Sequence, residues 1–491
     1  MTMSDVASNV ANNIASRIHA QASARPRDLA MIAPAGLMSY ARLARAVAIV
    51  AHELRARRIA PGQVVALSMI QRPLQAIALL ALAQIGAVSL PLHPAIPRAR
   101  RQLAARRLGA VAVLSGRREN ALDGCPFIDL GALTLDDAAD AHFDPHPVAA
   151  DTPLCILISS GTVGEPKAVE IGHGQLELPP ANVDPEVGPG ARVMTMDMNF
   201  RVGFRPALEA LMRGATLVFP ESCRGDDLLR ALVAERVTHA AFSPLQAREV
   251  AAAAAAAGTG CPDLLSLRLV GGAVTPAILR EVQDHLTGNT YVVYGSTESS
   301  LLSIASPAML ARNPACAGRA FDWARIEVVD DDGKPVPAGV TGQLRIRSPH
   351  QATRYCLDGD RNRHRFADGW FYPGDLGRFD ADGLLTLAGR DDERMNLGGT
   401  KINPEDVEAV LGGHAQVIDV GVFIAAETDG REVLAAALVL KEGGMVAEVR
   451  RHAAAELGPL CPTRFALVAE LPRTPTGKLR RSELAALCGR Q

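Results

Sequence analysis

The stretch Ile156-Leu157-Ile158-Ser159-Ser160-Gly161-Thr162-Val163-Gly164-Glu165-Pro166-Lys167 runs from an apolar strand into hydroxyls and glycines and ends on a lysine. Glycines let backbone N–H groups converge on phosphate oxygens, hydroxyls add donors, and the lysine supplies charge. It is not a GxxxxGK[ST] loop, and an ordinary Ser/Gly turn after a strand has the same look. A second cluster is Tyr291-Val292-Val293-Tyr294-Gly295-Ser296-Thr297-Glu298, preceded by Leu269-Val270-Gly271-Gly272-Ala273. Two strand-like segments there end in glycine loops, the place where a parallel sheet presents ligands. An aromatic such as Tyr294 can stack on a nucleobase, and a carboxylate such as Glu298 can hold Mg²⁺ beside phosphates.

Three further clusters follow. Gly369-Trp370-Phe371-Tyr372-Pro373-Gly374-Asp375, with Gly389-Arg390 after it, offers a carboxylate that can accept from paired hydroxyls and a guanidinium that can join it. Arg390-Asp391-Asp392-Glu393 leads into Leu397-Gly398-Gly399-Thr400-Lys401, where adjacent glycines admit a thin ligand close to the backbone. Pro472-Arg473-Thr474-Pro475-Thr476-Gly477-Lys478 is a terminal loop that holds a lysine. Lysine is scarce: of 51 basic residues only Lys167, Lys334, Lys401, Lys441 and Lys478 are lysines. Where charge alone suffices this chain uses arginine, so a retained lysine points to a need for a compact charge with rotatable donors.

The elements that must position these residues alternate. Residues 41–57 read as an amphipathic helix, 64–69 as a strand, 74–85 as a buried helix and 87–92 as a strand. The helix–strand rhythm recurs at 103–114, 208–219 and 228–242, which implies mostly parallel sheets covered by helices. The alanine run 251–257 reads as a small-residue helix face. Beyond about residue 318 short alternating strands separated by Asp/Gly turns imply a β-rich subdomain. The last hundred residues read as a separate α+β unit, with helices at 404–411 and 446–457 and strands at 417–423 and 433–440.

At 491 residues the chain is too long for one ordinary domain, and 48% hydrophobic with 21% charged residues can bury a large core. A formal charge of −2 gives no field to attract nucleic acid. The eight cysteines are scattered without a CxxC pair, so they read as reduced, mostly buried thiols in the cytoplasm rather than a zinc site or disulfide frame. The most apolar segment, 76–92, is interrupted by Gln84 and Gly86 and is too short to enter and cross a membrane.

Taken in order, the five clusters resemble the adenylate-forming superfamily of acyl- and aryl-CoA synthetases, peptide-synthetase adenylation domains and luciferases. The likeness covers nearly the whole chain, from Ser39-Tyr40-Ala41-Arg42-Leu43 to Lys478. It implies an α/β N-terminal domain, 1–390, that binds AMP and the acid, and a small mobile C-terminal lid, 391–491. It implies ATP and Mg²⁺ as cofactors, with Ser159, Ser160, Gly161, Thr162, Gly164 and Lys167 around the β- and γ-phosphates. By the same resemblance Thr297 assists, Glu298 binds Mg²⁺, and Gly271, Gly272, Ala273, Tyr294 and Gly295 hold adenine. Asp375 and Arg390 would hold ribose, and Lys478 would bridge the acid's carboxylate and the α-phosphate. The lid would turn about Asp392, bringing Gly398, Gly399 and Lys401 to a pantetheine tunnel.

The implied reaction is activation of a carboxylic acid as its acyl-AMP, then transfer to the thiol of CoA. The rival is an acyl- or aryl-AMP ligase that loads a carrier protein's phosphopantetheine or an amine; a silent homologue should have lost one of Glu298, Asp375, Arg390 and Lys478. The resemblance also admits a homodimer. Val163 and Pro373 depart from the pattern, and the prolines within 177–190 break the helix expected there. The substrate-binding stretch is read as Asn199, Phe200, Arg201 and Gly203, with Ser296 opposite. No aspartate stands where amino-acid-activating relatives hold an ammonium; Asn199 resembles the polar residue of aryl-acid relatives, and Arg201 is a candidate partner for a second carboxylate. An aromatic or short functionalised acid is the expected substrate.

Overall fold

A computed structural model describes residues 13–70, 73–135, 143–159, 167–176, 185–356, 359–393, 395–397, 400–426, 432–474 and 479–488. Its largest sheet has nine strands, and the middle six run parallel: Leu29–Ala33, Thr216–Val218, Arg192–Met194, His239–Phe242, Ser266–Val270 and Thr290–Ser296, in that spatial order. A second sheet of six carries parallel strands Phe127–Asp129, Ala112–Ser115, Val64–Leu67, Val88–Pro91 and Pro153–Ser159, closed by antiparallel Lys167–Gly172. Strands covered on both faces are buried at every position, as Ala112–Ser115 and His239–Phe242 are.

The helices that cover these sheets start and stop where local chemistry dictates. Ser243 caps helix Pro244–Ala257 through a capping box with Gln246, and Gly258 ends it in the left-handed conformation at φ 63°. Ser39 caps Tyr40–Ala56 and Thr275 caps Pro276–His285 in the same way, each accepting a backbone N–H. Helix Pro73–Gln84 is buried on every side from Gln75 to Gln84, because an all-apolar helix has no face to give to water; it packs on Tyr40–Ala56 and Ile14–Ala24.

Beyond residue 318 the texture changes as expected. Arg325–Val329, Gly342–Arg347, Asp375–Phe379 and Leu385–Arg390 form an antiparallel sheet with two short strands at its edge. The chain then passes through a 3₁₀ turn, Asp391–Glu393, into the hairpin Met395–Leu397 and Thr400–Ile402. Strands Val417–Ala426, Glu432–Leu440 and Arg464–Leu467 make a three-stranded sheet flanked by helices Pro404–Gly412, Val446–Leu457 and Arg481–Cys488. The buried apolar residues of this last part, among them Val407, Leu411, Val422, Leu438 and Val449, cluster with one another.

This part touches the rest through few groups. Arg248, on helix Pro244–Ala257, pairs with Glu281 at 3.1 Å and donates to the backbone carbonyls of Ile418 and Val417. Asn403 donates to Ala388 O at 2.5 Å.

Two expectations change. Among the described residues no thiol is bridged, and of these Cys155, Cys261 and Cys316 are buried, Cys125, Cys356 and Cys461 are half-buried, and Cys223 is exposed in the loop before helix Gly225–Ala234. Helix Ile14–Ala24, strand Arg464–Leu467 and helix Arg481–Cys488 complete the architecture although the apolar pattern did not signal them. Among the described residues no helix is long and apolar enough to cross a membrane.

Candidate active site

Register places the clusters at one end of the two main sheets. Val270 pairs with Val293 in neighbouring parallel strands, so Gly271, Gly272 and Ala273 leave the sheet beside Tyr294. Gly295 sits at an irregularity where strand Thr290–Ser296 meets Ser300–Ala305, and a Cβ there would stand 2.2 Å from Ser300 O. Only glycine allows that approach, which turns the Ser296–Glu298 loop. Ser296 is itself pinned, its Oγ 2.9 Å from the Ser299 hydroxyl.

In the second sheet Ser159 pairs with Lys167 across the loop 160–166. Ser160, Gly161, Thr162 and Gly164 lie outside the described residues. Lys167 Nζ stands 5.4 Å from the centroid of the Tyr355 ring, within cation–π range. Tyr355 reaches this place by a bridge with Val169, and its hydroxyl donates to Glu298 Oε1 at 2.9 Å. Tyr355 thus ties the lysine of one motif to the carboxylate of another. The sequence reading missed it. The signal was available, since Tyr355 is one of only five tyrosines in the chain.

Asp375 and Arg390 are register partners in neighbouring antiparallel strands. Arg390 donates to Asp375 Oδ1 at 2.7 Å and to Pro373 O at 3.1 Å, while the buried Tyr294 hydroxyl donates to Asp375 Oδ2 at 2.5 Å. Burial first, and then the Asp375 charge and hydrogen bond, hold the Tyr294 phenol well above its ordinary range, so it stays a donor. Tyr294 and Asp375 therefore meet, a contact that the motifs did not signal.

The acid-side residues fall differently. Arg201 is buried, donating to Thr297 O at 2.6 Å and to His350 O at 3.3 Å. Burial, with Arg205 beside it, pulls its guanidinium down to about 9 against the pull of Glu298. This guanidinium braces the Thr297–Glu298 loop. Asn199 donates to Met69 O at 2.9 Å and to Asp197 at 2.7 Å, and its buried Oδ1 has no partner among the described residues. Phe200 stacks on His93 at 6.0 Å. Gly203 is a packing position, because a Cβ would stand 2.2 Å from Met196 O.

In the C-terminal part, Asp391 N–H donates to Gly374 O, whereas Glu393 accepts from Arg481 at 3.3 Å. Glu393 also stands 3.8 Å from Arg390, so the residues on both sides of Asp392 hold to the strands before it. Glu405, at the start of helix Pro404–Gly412, is pushed up to about 7 by burial and by Glu393, Glu408 and Asp375, against Arg481. Gly398, Gly399 and Lys478 lie outside the described residues, and Lys401 is placed only as a strand residue opposite Asn396. Arg473 forms an isolated bridge with Leu479 and is anchored to Asp419 at 2.6 Å.

With the geometry in place, comparison with known proteins fixes the class. The AMP-binding enzyme family matches residues 18–356, and the AMP-binding enzyme C-terminal domain matches residues 406–478. The chain belongs to the AMP-binding enzyme family, an adenylate-forming superfamily of ligases. An indoleacetate–CoA ligase of Aromatoleum aromaticum is 31% identical over 506 residues, covering 96% of this chain and 98% of that one. A probable non-canonical nonribosomal peptide synthetase of Salinispora arenicola is 28% identical over 91% of this chain, which spans 6% of that protein. The amide bond synthetase of Marinactinospora thermotolerans shares the fold, with a TM-score of 0.86 and 23% identity over 97% of this chain and 99% of that one.

Proposed function

We propose that this adenylate-forming ligase activates a carboxylic acid as its acyl-AMP, releasing pyrophosphate, and then passes the acyl group to the thiol of CoA. The observation that carries the reading is the joined network Lys167–Tyr355–Glu298 beside Tyr294–Asp375–Arg390. It gathers a phosphate-side cation, a metal-side carboxylate and a hydroxyl acceptor at one end of two sheets. The match to the indoleacetate–CoA ligase over 98% of that protein supports CoA as the acceptor.

An acid oxygen attacks the α-phosphorus of ATP, the bond to the β-phosphate oxygen breaks, and pyrophosphate leaves. Asp375 accepts from the ribose hydroxyls while Arg390 and Tyr294 fix its two oxygens. Lys167 and the 159–164 loop meet the outer phosphates. No group of three or more metal-ligating side chains exists among the described residues. One buried carboxylate, Glu298, oriented by Tyr355, suits Mg²⁺, which takes few protein ligands and shares the phosphate oxygens. Bound there, Mg²⁺ would neutralise phosphate charge. Attack brings two anions together, and Lys478 supplies the cation between them. We assign 1–390 to nucleotide and acid binding and 391–491 to a lid that turns about Asp392, taking Lys478 away and bringing Gly398, Gly399 and Lys401 in for transfer.

The test is pyrophosphate release from ATP and Mg²⁺ over aryl, fatty, dicarboxylic and amino acids, with and without CoA, products being followed by mass spectrometry. An acid-dependent CoA thioester is expected. Acyl-AMP that accumulates without a CoA adduct would move the acceptor to a carrier-protein thiol or an amine. Lys478→Ala is expected to lose on the order of 10²–10³ in adenylation while still transferring supplied acyl-AMP; equal loss of both half-reactions refutes that division.

A further inference from the structure

A chain of alternating charges leads from the ribose-side pair to the last helix of the C-terminal part. Arg390 donates to Asp375 Oδ1 at 2.7 Å, and its Nε stands 3.8 Å from one oxygen of Glu393. The other oxygen of Glu393 accepts from Arg481 Nε at 3.3 Å. Arg481 also donates to both oxygens of Glu408, to Oε2 at 2.9 Å, and to Val422 O at 3.2 Å. The side chains of Asp375, Arg390, Glu393, Arg481 and Glu408 are only 12% to 25% exposed, so water screens their charges in part. They come from five elements: strands Asp375–Phe379 and Leu385–Arg390, the turn Asp391–Glu393, and helices Arg481–Cys488 and Pro404–Gly412.

Packing of the C-terminal part alone does not ask for Glu393. Glu408 and Val422 O already fix helix Arg481–Cys488 to helix Pro404–Gly412 and strand Val417–Ala426. The arm from Glu393 brings one more carboxylate to a place crowded with acids. Its charge is felt there: after burial, Glu393 is the foremost group that pushes the Glu405 carboxyl up to about 7, with Glu408 and Asp375 adding and Arg481 opposing. What this anion gains in return is two cations, one before the junction and one beyond it. Ribose hydroxyls that donate to Asp375 share out its charge, so Arg390 leans more on Glu393, and the 3.8 Å separation leaves room for that pair to close. Arg481 follows Lys478 by three residues, a chain reach of at most about 10 Å.

We propose that Glu393 is a positioning residue that couples the nucleotide's ribose to the placement of the C-terminal part, holding Arg390 with one oxygen and Arg481 with the other. This rests on the adenylating reading above. The test follows amide hydrogen exchange of the full chain with and without AMP, and the affinity for AMP by calorimetry, so that no acid substrate is needed. In the unmodified chain AMP should slow exchange in strand Asp375–Phe379 and also, by roughly fivefold, in helix Arg481–Cys488, the low end of ordinary coupling between two sites. In Glu393→Gln the strand should still respond while the helix loses its response. Coupling is reciprocal, so the Kd for AMP should rise by the same factor. Glu393→Asp, which keeps the charge but draws it back by one methylene, should retain part of both effects, and it decides if thermal melts show Glu393→Gln unfolded. Exchange in the helix that quickens equally with and without AMP in Glu393→Gln, its response to AMP intact, marks a purely structural tie and overturns the proposal. A strand that responds to AMP in the unmodified chain beside a helix that does not overturns it too and leaves the adenylating reading standing. No response to AMP anywhere overturns both.

Discussion

Two regions of the molecule carry opposite charge. Around the ribose-side carboxylate stand Asp375, Glu393, Glu405 and Glu408 with Arg390 and Arg481, four acids to two bases. Around the cavity beneath helix Arg201–Met212 stand Arg205, Arg213 and Arg268 with Glu186 and Glu209, three bases to two acids. Hydroxyls bring donors and need acceptors, which the first region supplies. At the first region every named hydrogen bond joins protein to protein, so it is organised in advance. At the second, Arg205 Nε is buried without a partner among the described residues, as Arg201 Nε is one turn earlier.

The sharpest way to break this contrast is to remove the acceptor on the ribose side. Asp375→Ala leaves Tyr294 and Arg390 without their shared partner, and pyrophosphate release should fall on the order of 10²-fold. The loss should appear in kinetics against ATP; a loss confined to the acid's KM would break the assignment of Asp375 to the nucleotide. Tyr355→Phe keeps the ring under Lys167 but removes the hydroxyl from Glu298. About tenfold in kcat/KM for ATP is expected, the scale of one hydrogen bond to a charged group, and titration with Mg²⁺ should show a weaker requirement being met only at higher concentration.

The smallest effect sharpens the picture of crowded acids. Glu405 is raised to about 7 from an ordinary 4.5, so the folded state holds its proton more tightly than the unfolded chain. Between those values stability falls as pH rises, and above about 7 the ionised carboxylate bears its full cost beside Glu393, Glu408 and Asp375, with Arg481 opposing. Glu405→Gln should therefore match the parent near pH 4.5 and exceed it above pH 7 by on the order of 1 kcal/mol. Melting curves read this as a few degrees of Tm; a gain that is equal at both pH values would contradict it.

How much the sequence revealed differs between the same two regions. Asp375 and Arg390 were legible because each lies in a glycine-marked turn beside a strand, and backbone register alone makes them partners. Strands Arg325–Val329 and Gly342–Arg347 and helix Val446–Leu457 matched their pattern because period and turn residues agree there. The cavity beneath helix Arg201–Met212 was not legible. Arg205 and Trp323 come from a helix face and a distant loop, and only packing brings them to one cavity. The bonds of Arg201 to the carbonyls of Thr297 and His350 were not legible, because those residues lie far along the chain and only packing brings them to it. Strand Arg464–Leu467 was hidden because four residues of mixed polarity carry no readable period.

Arg248 bonds the carbonyls of Val417 and Ile418 rather than their side chains, so the contact is indifferent to which residues occupy those positions. A hydrogen bond from a charged donor contributes about 1.5–3 kcal/mol. Any rearrangement that parts this strand from helix Pro244–Ala257 gives that up, which weights the two arrangements by roughly 10- to 100-fold. Substitution of Arg248 would then act as a change in population, felt in whichever half-reaction needs the strand detached.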